Sequence, residues 1–370
     1  MKILYIFTFD YSLEVWRKSG ILDRELKYFQ SLKNKDIDIS IVTYGDQSDE
    51  EILKDYNIDI IPIYKYFKRP RNKVLRLIKS FMFPFFIKKN VDFDLIKQNQ
   101  LQGSWVSILL RMISKKPLIM RTGYDVFLFS IKEKKTLYKR ILFYILTQIS
   151  LIASTKYTVT SNDDAKFLNK FFMLGSNKIT LRRNWVASPE SRIKLVERTK
   201  DTVLSVGRIE NQKNYFQLID MFKNSNKKIT IIGEGSKKIP LLEYAKQNNV
   251  SLEILNPIHN KELIKTMTGY VFYFSSTLFE GNPKTILEAM GSGCIVVVPS
   301  SENNKEIIKH KRNGYLYNLT DKSPITYIED IDFHQLEKIS IAAFQSIKDS
   351  FSLKKFIEDD LLEYEEALSG

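Results

Sequence analysis

Two doubly wound α/β domains are the fold class that this 370-residue sequence predicts. Three observations predict it. The length is more than one hydrophobic core comfortably serves and suits two. Short β-rich runs alternate with helix-patterned segments from end to end. Most of those runs are apolar along their whole length, as strands of a parallel sheet covered on both faces must be.

In the first half the strand candidates are "KILYIFTF", "DISIVTYG", "IDIIPIY", "DLIKQN", "PLIMRTG", "YTVTS" and "ITLRRNWV". The second half supplies "TVLSVGRI", "KITIIGEG", "SLEILNP", "YVFYFSS" and "CIVVVPS", separated by amphipathic segments such as "KNYFQLIDMFKNS" and "IPLLEYAKQNN". The polar stretch "ASPESRIKLVERTKD" (187–201) reads as the linker between the two series. The expected domains are therefore residues 1–187 and 188–345. An acidic terminal helix within 346–370, "SLKKFIEDDLLEYEEAL", is expected to pack back toward the first domain. Open α/β sheets bind ligands at the carboxyl ends of their strands, so two such domains facing across a cleft would share one site.

Composition narrows the function classes. With 44% hydrophobic and 27% charged residues the chain is an ordered globular one. Its single cysteine, Cys294, lies inside an apolar run and supports neither a disulfide framework nor a thiolate metal site, which suits a reducing, cytoplasmic setting. The start "MKILYIFTFD" runs straight into strand-like alternation without a secretory pattern. The longest apolar stretch, "ILFYILTQISLIA" (141–153), is interrupted by Thr147, Gln148 and Ser150 and is shorter than a spanning helix, so a buried helix is expected there.

The net charge of +14 belongs to one half. Residues 1–190 hold 33 Lys and Arg against 19 Asp and Glu, whereas the remaining 180 hold 24 of each. The surplus concentrates in residues 65–90, with nine Lys or Arg and no acid, and again in "IKEKKTLYKR" (131–140). One reading is a patch facing an anionic membrane, with Phe81, Phe83, Phe85 and Phe86 entering the interface. The other is a solvated helix with its phenylalanines buried. No nucleic-acid module accompanies the charge, so nucleic acid is not an expected partner.

Three stretches of the second half carry chemistry. In "SVGRIENQKNY" (205–215) a strand ends at Gly207, and Arg208 and Lys213 flank a polar loop; a planar fork and a point charge together suit a diphosphate. In "IIGEGSKK" (231–238) a glycine-rich turn lets backbone amides approach an anion. In "FEGNPKTILEAMGSGCIVVVPS" (279–300) Glu280 leads into a Gly281-Asn282-Pro283 corner and Glu288 follows within the next helix, with Pro283 expected at the first helical position. Buried glutamates need partners, and two carboxylates beside free helix amides suit vicinal hydroxyls and an anion. Diphosphate-binding cations and hydroxyl-binding carboxylates together describe a nucleotide-sugar.

Here the second half resembles the retaining glycosyltransferases of family GT4, whose fold is GT-B, two Rossmann-like domains. The resemblance rests on "SVGRIENQKN", "IIGEG", "EGNPKTILE" with "AMGSGCIVVVPS", and "EIIKHKRNGYLY", in the family's order over residues 200–320. It implies that Arg208 and Lys213 hold the donor diphosphate, that Glu280 contacts the transferred sugar, and that Glu288 accepts from the ribose hydroxyls. Gly207, Gly281, Asn282 and Pro283 would line the donor pocket, and "NPIHNKEL" (256–263) would lie near the base, His259 being either part of that cradle or a plain loop residue. Gly20, in "WRKSGILDREL", falls where the family has a glycine loop near the donor phosphates. Where many relatives carry a histidine beside the sugar this sequence has Gly123 and Tyr124, and its three histidines (259, 310 and 334) all lie in the second half. Asp125 reads either as a substitute polar contact or as a turn residue.

The resemblance implies a hexosyltransferase using a UDP- or GDP-linked sugar as donor substrate, with no cofactor and no metal. The implied acceptor is a glycan or lipid-linked glycan of surface polysaccharide or lipopolysaccharide biosynthesis, at the inner membrane face. The alternatives are a non-catalytic glycosyltransferase-like binding subunit and a same-fold epimerase or phosphorylase.

Overall fold

The computed structural model describes residues 1–123, 125–281, 283–321, 326–329 and 332–370. The chain forms two compact units, Met1–Arg183 together with Phe356–Gly370, and Asn184–Lys355.

Unit 1 holds strands β1 (Lys2–Ile6), β2 (Asp38–Thr43), β3 (Asp59–Pro62), β4 (Leu95–Asn99), β5 (Leu118–Arg121), β6 (Lys156–Val159) and β7 (Ile179–Leu181). They pair in the order β3-β2-β1-β4-β5-β6-β7, and every pairing is parallel. Unit 2 holds β8 (Thr199–Val206), β9 (Lys228–Ile232), β10 (Leu252–Leu255), β11 (Tyr270–Phe274), β12 (Ile295–Pro299) and β13 (Tyr315–Tyr317) in the order β10-β9-β8-β11-β12-β13. These pairings too are parallel. Each apolar run read from the sequence contains one strand. The three-residue β13 is the strand the pattern did not reveal, being too short to show a period.

The central strands are buried on both faces because helices cover both, whereas β3, β7 and β10 at the edges are only partly buried. All of β12 is inaccessible to solvent, and Cys294 just before it is a packed thiol whose pKa burial pushes up to about 12. In unit 2 one cluster gathers Val203, Ile231, Phe272 and Ile295, and a second gathers Leu204, Ile232, Tyr273 and Val296. Successive strand residues thus serve opposite faces. In each sheet the chain turns back at one point, between β1 and β4 in unit 1 and between β8 and β11 in unit 2.

Two expectations are corrected here. The stretch 187–201 is not a free linker: Leu195 and Arg198 are buried, and Arg192 pairs with Glu337 and bonds Ser340 of the helix Phe333–Ser350. Its polar side chains mark partners within unit 2 rather than solvation. Residues 141–153 do form helix, within Leu137–Ala153, but it is not a buried one. Its buried side chains are Thr147, Ser150 and Leu151, whereas Leu137, Ile141, Leu142, Ile145, Ile149 and Ile152 face outward.

A buried ion cluster ties the end of the chain to unit 1. Lys97 of β4 is 2% exposed, and its Nζ donates to Asp360 Oδ2 at 2.6 Å, Tyr364 Oη at 2.5 Å and Tyr28 Oη at 2.8 Å. Arg182 approaches Asp360 at 3.4 Å and Glu363 at 3.5 Å. Burial alone would raise the Asp360 pKa, but Lys97, Arg121 and Arg182 hold it below the usual carboxylate value. Removing one partner of a buried pair strands the other charge and costs about 3–5 kcal/mol. Lys97→Met is therefore expected to lower the first unfolding midpoint by roughly 10 °C in scanning calorimetry. An unchanged midpoint would show that the cluster contributes no stability.

Candidate active site

In unit 2 the turn-back between β8 and β11 leaves adjacent strand ends from which neighbouring loops diverge. Ligands of open α/β sheets bind at such a crevice. The loop after β8 carries Gly207, Arg208 and Lys213. The loop after β11 carries Glu280 and Gly281, and leads through Pro283 into the helix Lys284–Gly291, which carries Glu288. Residues more than 60 positions apart are thus brought together by strand order.

The two loops are clasped. Gln212 donates through Nε2 to the Phe279 carbonyl at 2.8 Å, and its own carbonyl accepts from Leu278 N at 3.0 Å. Ser276 Oγ donates to the Lys213 carbonyl at 2.8 Å. Lys213 Nζ pairs with Glu280 Oε1, both side chains being mostly buried. The Glu280 carbonyl also accepts from Asn303 Nδ2. The partner that a half-buried Glu280 requires is therefore Lys213. For Glu288, 3% exposed, one is Asn260, whose Nδ2 donates to Oε1 at 2.7 Å.

Glycines set the shape of the loop after β8. Gly207 has φ +154°, and a Cβ there would lie 2.7 Å from Lys213 Cε, so its bare backbone makes room for the lysine stem. Gly233 and Gly235, read from the sequence as an anion-binding turn, have another task. A Cβ on Gly233 would lie 2.0 Å from the Gly207 carbonyl oxygen, and one on Gly235 2.3 Å from that of Ile209. This close approach permits the bonds Gly207 N to Ile232 O, Ile209 N to Glu234 O and Lys237 N to Ile209 O. Arg208 is exposed, with no side-chain ion pair or hydrogen bond among the described residues. A cavity of about 190 Å³ lies beside this loop, lined by Ile209, Glu210, Asn214 and Lys237 among others, but not by Lys213 or Glu280.

Pro283 is not at the first helical position as expected. Its extended ψ of 100° makes it the N-cap, with its carbonyl accepting from Ile286 and Leu287, and the helix starts at Lys284. Asn282 lies outside the described residues, as does Tyr124. His259 is an exposed N-cap residue of the helix Asn260–Met267 without a side-chain capping bond, which matches the plain loop reading. Sequence reasoning missed Gln212, Asn260 and Ser276. Asn260 lay inside the flagged "NPIHNKEL", whereas nothing in the local pattern of Gln212 or Ser276 marks a clasp formed between loops.

Gly20 belongs to unit 1. It ends the helix Leu13–Lys18 with φ +71°, its N–H bonding the Arg17 carbonyl while Ile21 N reaches Trp16 O. Glycine is the residue suited to that left-handed helix end. Gly123 follows β5, its N–H donating to Gln100 Oε1 at 3.0 Å, and a Cβ there would meet Gln100 Nε2 at 2.7 Å. Beside it Asp125 is fully buried and caps the helix Val126–Lys132, Oδ1 accepting from Leu128 N at 2.6 Å. It is a turn aspartate.

Burial, with Asp164 nearby, pushes the Asp125 carboxyl up to about 7. A raised acid pKa means that the folded state keeps a proton that the unfolded chain releases. This contribution to stability falls as pH rises from about 4 to about 7 and is fully lost above that. Asparagine also caps helices, so Asp125→Asn is expected to match the parent near pH 4 and to exceed it in melting temperature by pH 8. Parallel melting curves across that range would show that Asp125 ionises freely in the folded state.

Comparison with known proteins identifies the family and the fold. The family model described as "Glycosyl transferases group 1" matches residues 188–332, and that described as "Glycosyl transferase 4-like" matches residues 23–156. The amylovoran biosynthesis glycosyltransferase AmsD of Erwinia amylovora is 34% identical over 97 residues, 25% of this chain and 27% of that protein. The alignment thus spans about a quarter of this relative's length. The UDP-Gal:alpha-D-GlcNAc-diphosphoundecaprenol alpha-1,3-galactosyltransferase of Escherichia coli is 21% identical over 323 residues, 82% of each chain. Among solved structures, HepE of Anabaena in complex with UDP and glucose superposes with a TM-score of 0.73 at 13% identity, covering 99% of this chain and 100% of that one. With family matches in both halves and two parallel-sheet units throughout, the chain belongs to the group 1, GT4-like glycosyltransferases and has their GT-B fold.

Proposed function

We propose that this glycosyltransferase moves a hexose-class sugar from a UDP-linked donor to a lipid-linked glycan acceptor, with retention of anomeric configuration and without a metal ion. The observation that carries the reading is the clasp of Lys213 and Glu280, beside exposed Arg208 and partnered Glu288, at the carboxyl ends of β8 and β11. The E. coli relative's name specifies a UDP-sugar and a diphosphoundecaprenol acceptor, which supports this donor and acceptor class.

In the proposed reaction the bond between the anomeric carbon and the diphosphate oxygen breaks while the acceptor oxygen bonds that carbon on the same face. The acceptor proton passes to the departing phosphate oxygen, so no protein base is needed. Negative charge grows on the leaving diphosphate, where Arg208 and Lys213 stabilise it. The first amides of the helix Lys284–Gly291, which lack intrahelical acceptors, add to that stabilisation. Removing one such donor costs about 10²- to 10³-fold in rate. Glu288 is suited to the ribose hydroxyls; Asn260 already holds one of its oxygens in place. Glu280 is positioned to bond a sugar hydroxyl while orienting Lys213, and Gly207, Gly281 and Pro283 would form the pocket wall.

Among the described residues no group of three His, Cys, Asp or Glu side chains is placed to hold a metal ion; in the proposed reaction the cations on the leaving group are Arg208 and Lys213. Peripheral attachment at the inner membrane face, through residues 65–90, would bring the enzyme to its lipid-linked acceptor. Among the described residues no helix is long and apolar enough to cross a membrane.

Calorimetric titration with UDP, GDP and ADP is the direct test. Micromolar binding of UDP, weakened roughly tenfold to a hundredfold in Glu288→Ala and in Arg208→Ala, is expected. Binding of none of the three would refute a donor site here. Transfer measured with and without EDTA should proceed at one rate; loss that Mn²⁺ or Mg²⁺ restores would rule out the metal-free route.

A further inference from the structure

From the outward face of the helix Leu137–Ala153 we infer that this helix, together with the helices spanning 73–90, is a docking surface for anionic phospholipid, lying in the membrane interface rather than crossing it. The inference deepens the peripheral-membrane part of the proposed function and does not depend on the donor chemistry.

The helix carries apolar side chains on its outer face as well as on its inner one, where Leu151 and Phe143 join the core. Thr147 and Ser150 are fully buried, with Ser150 Oγ 3.1 Å from Ser104 Oγ, whereas Leu137, Ile141, Leu142, Ile145, Ile149 and Ile152 are exposed, Leu137 to 72%. Those six recur at helical spacing on one side. Isolated exposed aliphatics are ordinary, but a contiguous stripe of them over four turns, opposite an inner face where Phe143, Thr147, Ser150 and Leu151 already meet the core, is a binding surface.

The stripe belongs to a larger face. Crossovers between parallel strands are right-handed, and from β3 onward all of them run in one direction across the sheet of unit 1. The helices Lys73–Ser80, Phe83–Asn90, Ser104–Ser114 and Leu137–Ala153 therefore form a single layer, in which the second packs on the third and the third on the fourth. Within this layer Leu75, Ile78, Phe81 and Phe85 are also exposed, and Met112 lies on the helix between. Phe83 is not part of it. Contrary to expectation it is 1% exposed, packed against Tyr44, Tyr64 and Phe67, and Phe86 is half-buried.

Charge selects the occupant. Residues 65–90, 104–114 and 134–153 contain no acid, and Arg71, Lys73, Lys88, Lys89, Lys134 and Lys139 are exposed around the apolar residues. A second copy docking by the same face would set these cations against their own equivalents. Anionic headgroups neutralise them while the acyl boundary takes the aliphatics. One side of the helix is committed to the protein interior, so it can enter the bilayer surface but not span it.

Flotation with vesicles of phosphatidylcholine mixed with phosphatidylglycerol, against phosphatidylcholine alone, tests this on the full chain. The parent protein is expected to float with the mixed vesicles and to be released by salt. The double variant Ile141→Glu, Ile145→Glu and, separately, Lys134→Gln, Lys139→Gln should each bind roughly tenfold or more weakly. Both should titrate UDP as the parent does, which reports a folded donor unit and separates this failure from failure of the transferase reading. Absence of the parent from mixed vesicles, or unweakened binding by the Glu variant, would overturn the inference. So would a dimer in analytical ultracentrifugation that the Glu variant dissolves, which would make the face a contact between copies.

Discussion

One buried ammonium group constrains the architecture of unit 1. Lys97 lies on β4, at the point where the sheet order turns back, and an unpaired charge there would oppose folding by several kcal/mol. Its carboxylate partner, Asp360, comes from the far end of the chain. Unit 1 satisfies its own interior only after Phe356–Gly370 has returned to it, so the chain leaves at residue 183 and comes back at 356. Tyr28 and Tyr364 complete the coordination, and Arg182 and Arg121 add further positive charge around Asp360. The acidic character of the last helix, in a chain of net positive charge, has its physical reason there.

Unit 2 is organised by proximity of backbone rather than by buried charge. The turn after β8 lies against the turn after β9 at distances that exclude any side chain on Gly233 or Gly235. This fixes the course of the backbone from Gly207 to Ile209. The neighbouring loop after β11 is then held by Gln212, Ser276 and the Lys213–Glu280 pair. A cation and a carboxylate that would each be costly to bury alone neutralise one another, and both remain at the strand ends where a ligand can exchange partners with them. Arg208 stays exposed beside them. In the proposed reaction the site thus combines one preorganised cation with one that the leaving diphosphate would recruit.

The outer helical layer of unit 1 departs from the usual distribution. A soluble helix turns its apolar stripe inward; Leu137–Ala153 turns Thr147 and Ser150 inward and its isoleucines outward. The exception gains meaning from the cations around it, because a basic, acid-free surface with aliphatic side chains matches a headgroup layer over hydrocarbon.

Sequence alone determined much of this protein. Strand positions were legible because parallel strands buried on both faces must be apolar throughout, and only the three-residue β13 escaped. The candidate-site residues Arg208, Lys213, Glu280 and Glu288 stood out in the sequence because their types and order follow a recurrent pattern near strand ends. Only the tertiary structure decided which partners they take, since the Lys213–Glu280 and Asn260–Glu288 contacts join segments that no local period relates. It also decided that 187–201 is packed, that Pro283 caps rather than begins its helix, and that the glycines of "IIGEG" serve backbone contact. The same limit explains the helix over 141–153. Hydropathy reports how apolar a segment is, but which of its faces meets the core depends on what the neighbouring elements present to it, here Ser104, which Ser150 of the helix meets.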